Sequence, residues 1–393
     1  MKITKRVVVS AAERIQQLPA PFLSELQGLC KTLERRGKEI VDLGKYAIHV
    51  PLAAQTSVGP CDGTAIATTF ADYLAREYQI EIDPTQEILL MPGIRAALLL
   101  TAAHFVDAGT TCLLPDPGYD AYRKLVLLFE GKPRSCPVYQ RNDYLPNLEQ
   151  FDRIASKSPR LLFLTSPHNP TGAVCDENFY SHLQRLAAEA NILVVTDSSY
   201  ALSYSGNFRP PLFCQSRKRL RLGIEMFSFS TNLAAPQLKL TAIVGRKRMI
   251  DPLATLARSL GLLPSGPLLS YAAPYFASAE SLANHIARCR EEISLRMNVV
   301  VEALQGAGIE FYPAIGAGFV WAKLRRGRLS VSFARGLLRH RGILVTPGTA
   351  FGEEGEGWIR IAANVESDRL REVMTALVRA YQPIKSRLHR RID

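Results

Sequence analysis

Residues 160–174 read RLLFLTSPHNPTGAV. A run of large apolar residues stops abruptly at Ser166, and two prolines, an asparagine and a glycine follow within six positions. An apolar run of this length bounded by turn residues fits a strand buried on both faces. The rigid turn after it points Asn169 off the end of that strand, where open α/β sheets bind their ligands. The residues on either side repeat the theme. EILLM (87–91), TCLLPD (111–116), ILVVTDS (192–198), EMFSFS (225–230) and LTAIVG (240–245) are further candidate strands. Stretches of helical spacing, such as ENFYSHLQRLAAEAN at 177–191, lie between several of them. Alternation of this kind predicts an α/β domain with a largely parallel sheet.

One long helical pattern covers about 275–307. Strand-like GFVWAKL, GILVTP and GWIRIAA and a final helix near 367–381 come after it. The sequence therefore predicts a large α/β domain over 51–285 and a smaller α+β domain built from 1–50 and 286–393. No internal repeat or low-complexity linker interrupts it.

Composition narrows the classes. The 393 residues are 47% hydrophobic and 21% charged, enough for a substantial core. The longest apolar segment, AALLLTAAHFV at 96–106, is too short to span a bilayer, and Val7–Val9 is too short for a signal peptide. Seven scattered cysteines without a C-x-x-C pair read as reduced residues of a cytoplasmic protein, and no metal site is expected. The formal charge of +12 is spread over runs such as RKRLR (217–221), RKR (246–248) and KSRLHRR (385–391). No nucleic-acid-binding motif accompanies them, so a basic surface suited to anionic small molecules is the expectation.

Four stretches place polar residues at strand ends. LMPGIRAALLL (90–100) puts a glycine between strand and helix, which offers backbone N–H groups to an anion. Asn169 follows the strand at 160–166. VVTDSSYALSY (194–204) places Asp197 and Tyr200 after a very apolar strand, either as helix caps or as partners for a cation. Arg360, in GWIRIAAN (357–364), needs an acidic partner, either a salt bridge or a substrate carboxylate.

Taken together and in this order, SPHNPTG, the D-x-x-Y of Asp197 and Tyr200, SFS with PQLK after it, and TPGTAFGEEGEGWIRIA resemble the class I and II aminotransferases of PLP-dependent fold type I. The resemblance covers roughly 25–385. It implies a pocket for pyridoxal phosphate (PLP) or pyridoxamine phosphate (PMP). Gly93, Ile94 and Arg95 would face the phosphate, with Ser228, Ser230 and Lys239 adding contacts. Tyr119 would stack on the pyridine ring, and Asn169 and Tyr200 would bond its 3-oxygen. Asp197 would hold the ring nitrogen protonated. Arg360, with Tyr46 and Asn169 nearby, would bind the carboxylate of an amino-acid or keto-acid substrate. A homodimer is also implied.

The text departs from that family at Thr231, where S-x-S-K would place the lysine that carries the cofactor covalently. A threonine hydroxyl cannot take over that attachment or act as the base. The resemblance makes Lys239, eight positions later, a phosphate anchor, although it is also the nearest substitute lysine. DLGKYAIHVP (42–51) replaces small or acidic residues of the family pattern by Tyr46 and Ala47, and His49 and Cys61 fall in the same region. His168 is given no role. Three readings stay open: an aminotransferase-like enzyme of amino-acid metabolism or specialised biosynthesis holding PLP or PMP non-covalently, with ordinary transamination doubtful; a repurposed, PLP-independent enzyme; or a non-catalytic binding protein on the same scaffold.

Overall fold

The computed structural model describes residues 11–16, 18, 22–53, 62–148, 160–206, 208–313 and 316–381. Its strands are, in chain order, Val41–Asp42 (β1), Ile88–Met91 (β2), Thr111–Asp116 (β3), Lys132–Pro137 (β4), Leu161–Thr165 (β5), Leu193–Asp197 (β6), Gly223–Ser228 (β7), Thr241–Val244 (β8), Phe311–Tyr312 (β9), Phe319–Lys323 (β10), Ile343–Leu344 (β11), Thr346–Pro347 (β12) and Trp358–Ala362 (β13).

A seven-stranded sheet has the order β2-β8-β7-β6-β5-β3-β4. Strand β8 runs antiparallel to both neighbours and the other pairings are parallel, so β2, β3, β4, β5, β6 and β7 all point the same way. Every residue of β5 and β7 is buried, as a sheet covered on both faces requires. Alternate residues serve opposite cores. Leu162, Leu164 and Val194 pack with Phe70 and Leu74 of the helix Gly63–Tyr78, whereas Leu161, Phe163 and Val195 pack with Leu98 and Leu253 of the helices Ile94–Phe105 and Lys247–Ser259. The carboxyl ends of the six co-directional strands, and with them Gly93, Tyr119, Asn169, Asp197 and Thr231, thus emerge along one edge.

A four-stranded antiparallel sheet, β12-β13-β10-β9, sets Arg360 opposite Trp321 and Thr346. The two-residue β1 pairs with β11 in parallel. Leu26, Leu43, Ile48 and Val50 join the apolar cluster of this second sheet. The 28-residue helix Ala279–Gly306 spans both cores: Leu282 and Ile286 belong to the large sheet's cluster, Cys289, Ile293 and Val300 to the other.

Several sequence expectations shift. The long helix begins at Ala279, because Ser278 caps it by accepting from Ser281 N at 3.1 Å. The strand expected over 225–230 covers 223–228, and Phe229–Asn232 turns into a single helical turn. GILVTP divides into β11 and β12. Strand β4, KPRSCP, was not expected at all: it is an edge strand with two prolines and mostly exposed side chains, so it lacks an apolar signature. Two of the four glycines in the turn before β13, Gly348 and Gly355, are forced by contact with each other's backbone. A Cβ on Gly348 would lie 1.7 Å from the Gly355 carbonyl oxygen, and one on Gly355 would lie 2.1 Å from that of Gly348.

Candidate active site

The helix Ile94–Phe105 starts at Gly93, whose φ of +91° suits glycine, and no side chain caps its first turn. Its leading N–H groups therefore stay available to an anion. The main chain of Lys239 lies against Gly93, where an added Cβ would sit 3.7 Å from the Lys239 carbonyl oxygen. From the helix, Arg95 Nε donates to the Tyr119 hydroxyl at 3.4 Å. Tyr119 in turn meets Tyr122 edge-on, with centroids 5.4 Å apart.

Tyr122 leads to Asp197. Its hydroxyl donates to Asp197 Oδ2 at 2.9 Å and also bonds Thr165 Oγ1 at 2.8 Å. Ser199 donates to Asp197 Oδ1 from its backbone N at 3.0 Å and from its hydroxyl at 2.5 Å. Asp197 is only 4% exposed, and among the described residues no cationic side chain forms an ion pair with it. Burial raises its pKa above the ordinary 3.8, and the Ser199 and Tyr122 hydrogen bonds oppose that rise.

Arg360 is its counterpart. The guanidinium is 7% exposed and lies against the rings of Phe351 and Phe319, 4.9 and 5.2 Å from their centroids. It donates to Asn169 Oδ1 at 2.6 Å and to the Gly44 carbonyl at 2.6 Å, while Nε is buried without a partner. No carboxylate of the described residues pairs with it, and burial lowers its pKa. Tyr200 sits in the fields of both groups. Burial raises its phenol pKa most, Arg360 opposes that and Asp197 adds to it.

One wall of this region comes from the amino-terminal segment. Asp42 Oδ1 accepts from Gly44 N and Lys45 N at 2.8 and 3.1 Å. Asn364 accepts from Ala47 N at 2.9 Å and donates to the Asp42 carbonyl at 3.0 Å and to that of Lys45. This clamp brings the Tyr46 ring against Tyr200, centroids 5.0 Å apart, and Phe319, 5.9 Å.

The profile of the family "Aminotransferase class I and II" matches residues 54–377. The chain belongs to the class I and II aminotransferases. It is 28% identical over 384 residues to LL-diaminopimelate aminotransferase of Halothermothrix orenii, covering 93% of this chain and 97% of the relative. The Aquifex aeolicus enzyme of the same name is 26% identical over 376 residues, covering 92% and 96%. Among solved structures, apo-BacF of Bacillus subtilis superimposes with a TM-score of 0.86 at 24% identity, over 96% of this chain and 99% of that one. A single mutant of Thermus thermophilus aspartate aminotransferase gives 0.85 at 19% identity, over 95% and 100%. The large, mostly parallel sheet with its smaller companion is the α/β architecture of PLP-dependent fold type I.

Within this aminotransferase, the structure gathers Gly93, Ile94, Arg95, Tyr119, Asn169, Asp197, Tyr200, Thr231, Arg360 and Tyr46 along the carboxyl edge of the large sheet and the facing small sheet. Some placements differ from the sequence expectation. Thr231 lies in the single helical turn after β7 instead of ending the strand, and its hydroxyl contacts the backbone carbonyls of Ser199 and, at 3.1 Å, Ser228. Ser228 is buried at the end of β7. The Ser230 hydroxyl donates to the Leu238 carbonyl at 2.5 Å, so its proton is already committed within the chain. The Lys239 side chain is exposed. The Tyr46 ring faces Tyr200, but its hydroxyl turns to Ser203 and the Gly318 backbone and closes no hydrogen bond with either. His49 is exposed. His168 is buried against Thr171 Oγ1 at 2.8 Å, and burial holds its pKa down to about 4, so it packs as a neutral ring. Cys61 lies outside the described residues.

The sequence reading missed Tyr122, Ser199, Asn232 and Asn364. Ser199 and Asn364 lie inside the stretches 194–204 and 357–364, and Tyr122 follows Tyr119 by three residues, the spacing of one helical face. Tyr122, Asn232 and Asn364 find their partners in distant segments, which a single sequence does not reveal, whereas Ser199 bonds Asp197 two residues away.

Proposed function

We propose that this chain is an aminotransferase-like protein that binds PLP or PMP non-covalently, because Thr231 stands where the family's Schiff-base lysine would be. The observation carrying the reading is Asp197, a buried carboxylate with no cationic partner among the described residues. An isolated buried charge is costly, and a protonated pyridine nitrogen is the partner it lacks. The rest of the donor set fits the same group: free N–H groups at Ile94 and Arg95 for the phosphate, Tyr119 beside the ring, and Asn169 and Tyr200 for its 3-oxygen. Bound PLP or PMP would supply an electron sink for charge developing at the substrate's α-carbon.

Arg360 then holds an α-carboxylate. Its fork is already oriented by Asn169 and Gly44, and its unpartnered Nε is a donor in reserve. The substrate is accordingly an amino or keto acid, in keeping with relatives named for an amino-acid substrate. Thr231 moves no proton, since its hydroxyl is held between two backbone carbonyls. Loss of a positioned base costs about 10²–10⁴-fold, so slow or altered chemistry is expected in place of rapid transamination. That engaged hydroxyl also favours, as the second reading, a binding protein without turnover. We further propose a homodimer, to which exposed Leu260, Leu263 and Tyr271 would contribute apolar surface. Residues 51–285 would form one domain and 1–50 with 286–393 the other, the core changing along the long helix between Ile286 and Cys289.

The test is a titration of the purified protein with PLP and with PMP, followed by borohydride reduction and mass spectrometry. Saturable binding without a protein adduct is expected, and Thr231→Lys should gain an adduct at residue 231. Absence of saturable binding would refute the cofactor reading. An adduct on wild-type Lys239 would show that the attachment had moved along the chain.

A further inference from the structure

The segment Ser198–Ser203, which carries Tyr200, is tied down on both sides of that tyrosine by the single turn Phe229–Asn232. Asn232 is fully buried and uses both ends of its carboxamide: Nδ2 donates to the Ser198 carbonyl at 3.0 Å and Oδ1 accepts from Leu202 N at 2.9 Å. Thr231 donates to the Ser199 carbonyl between them, and the Ser203 hydroxyl returns a bond to the Thr231 carbonyl at 3.2 Å. Arg290 Nε holds the Leu202 carbonyl at 2.8 Å from the long helix.

We infer that Asn232 is a positioning residue that fixes Tyr200, and with it the Asp197–Tyr200 turn, for cofactor binding. A carboxamide carries a donor and an acceptor on one planar group, and both are used here. Ser198 and Leu202 flank Tyr200 by two residues on each side, so the two bonds set the height and direction of the phenol above the sheet edge. Neighbouring bonds extend the frame: Ser199 links the turn to Asp197, and Ser198 Oγ donates to the buried Glu225 at 2.5 Å. Position 231 therefore contributes to the same latch through its hydroxyl, and a residue that would be chemical in a lysine-bearing relative is architectural here. The inference rests on the cofactor reading for what Tyr200 is positioned towards, but not for the latch itself.

Two measurements on the full chain separate these. In protein carrying ¹³Cζ-tyrosine, with the Tyr200 resonance assigned through Tyr200→Phe, Asn232→Ala should shift or broaden the Tyr200 signal without cofactor while those of Tyr73 and Tyr180 stay in place. An unmoved Tyr200 signal would overturn the inference. In a PLP titration followed by absorbance, Asn232→Ala should raise Kd roughly tenfold, the effect of losing two neutral hydrogen bonds. It should add little in a Tyr200→Phe background, because both changes act through one phenol. Fully additive losses would mean that Asn232 does not act through Tyr200. If Asn232→Ala fails to fold, Asn232→Ser, whose single short hydroxyl cannot reach the Ser198 carbonyl and Leu202 N together, serves in both measurements with the same expected outcomes. Wild-type protein that binds no PLP would refute the cofactor reading, and the resonance measurement would still decide the latch.

Discussion

Arg360 and Asn169, 191 residues apart in the chain, share a 2.6 Å hydrogen bond that joins the small sheet to the carboxyl edge of the large one. The same guanidinium holds the Gly44 carbonyl, so three distant segments meet at one side chain. None of these partners carries a negative charge, and the cation is buried between two phenylalanine rings.

Arg360→Lys should therefore keep the charge but lose the fork. Affinity for an α-amino acid, measured by the spectral response of the PLP-loaded protein, should fall roughly tenfold or more, about 1.4 kcal/mol. Unchanged affinity would remove Arg360 from the carboxylate site.

Asp197 gives a prediction with opposite signs in the two states. Burial raises its pKa, so its contribution to apo stability is fully present below the ordinary value of 3.8 and is lost as pH rises through the higher folded-state value. Asp197→Asn removes that loss, and Tyr122 can turn its proton towards Thr165. The variant should melt at a higher temperature than wild type at neutral pH, with a flatter pH dependence on the acid side. Its PLP affinity should drop roughly tenfold or more, since a neutral amide cannot pair with a pyridinium. Thermal unfolding without cofactor across pH and a PLP titration check both halves, and a less stable apo variant would contradict the first.

Thr231→Val retains the β-branched shape but removes the hydroxyl that bridges Ser199 and Ser228. It should destabilise the protein by about 1–3 kcal/mol in urea unfolding, the cost of leaving a buried carbonyl short of a donor. Thr231→Ser should recover most of that loss. Equal stability of the valine and threonine forms would show that the hydroxyl does no structural work.

Gly348→Ala should be far worse than an ordinary surface glycine substitution, because its Cβ would overlap the Gly355 carbonyl at 1.7 Å. The turn must open, moving the start of β13 and with it Arg360. A destabilisation of about 3 kcal/mol or more is expected, compared with little change for Gly28→Ala, whose Cβ meets nothing within 4 Å. Similar melting temperatures for the two variants would refute the packing argument.

Elements whose burial is complete and local are legible along the chain. Continuous apolar runs at β5 and β6 fit strands covered on both faces, and the residues that close them put Asp197 at a strand end and Asn169 in the turn that follows. Resemblance then supplied roles for those positions. What each group touches depends on how the folded chain brings distant segments together. Strand β4 pairs at the sheet edge despite its prolines, because edge strands can leave a backbone donor unused. Asn232, Asn364 and Tyr122 matter through bonds to segments far away in sequence, and hydrogen-bond partners of that kind leave no periodic trace. The charge state of the site was equally hidden: a sequence shows that Asp197 and Arg360 exist, whereas packing decides that each is buried without a counter-ion among the described residues. That imbalance arises from the fold, since desolvation depends on what surrounds a charge in space.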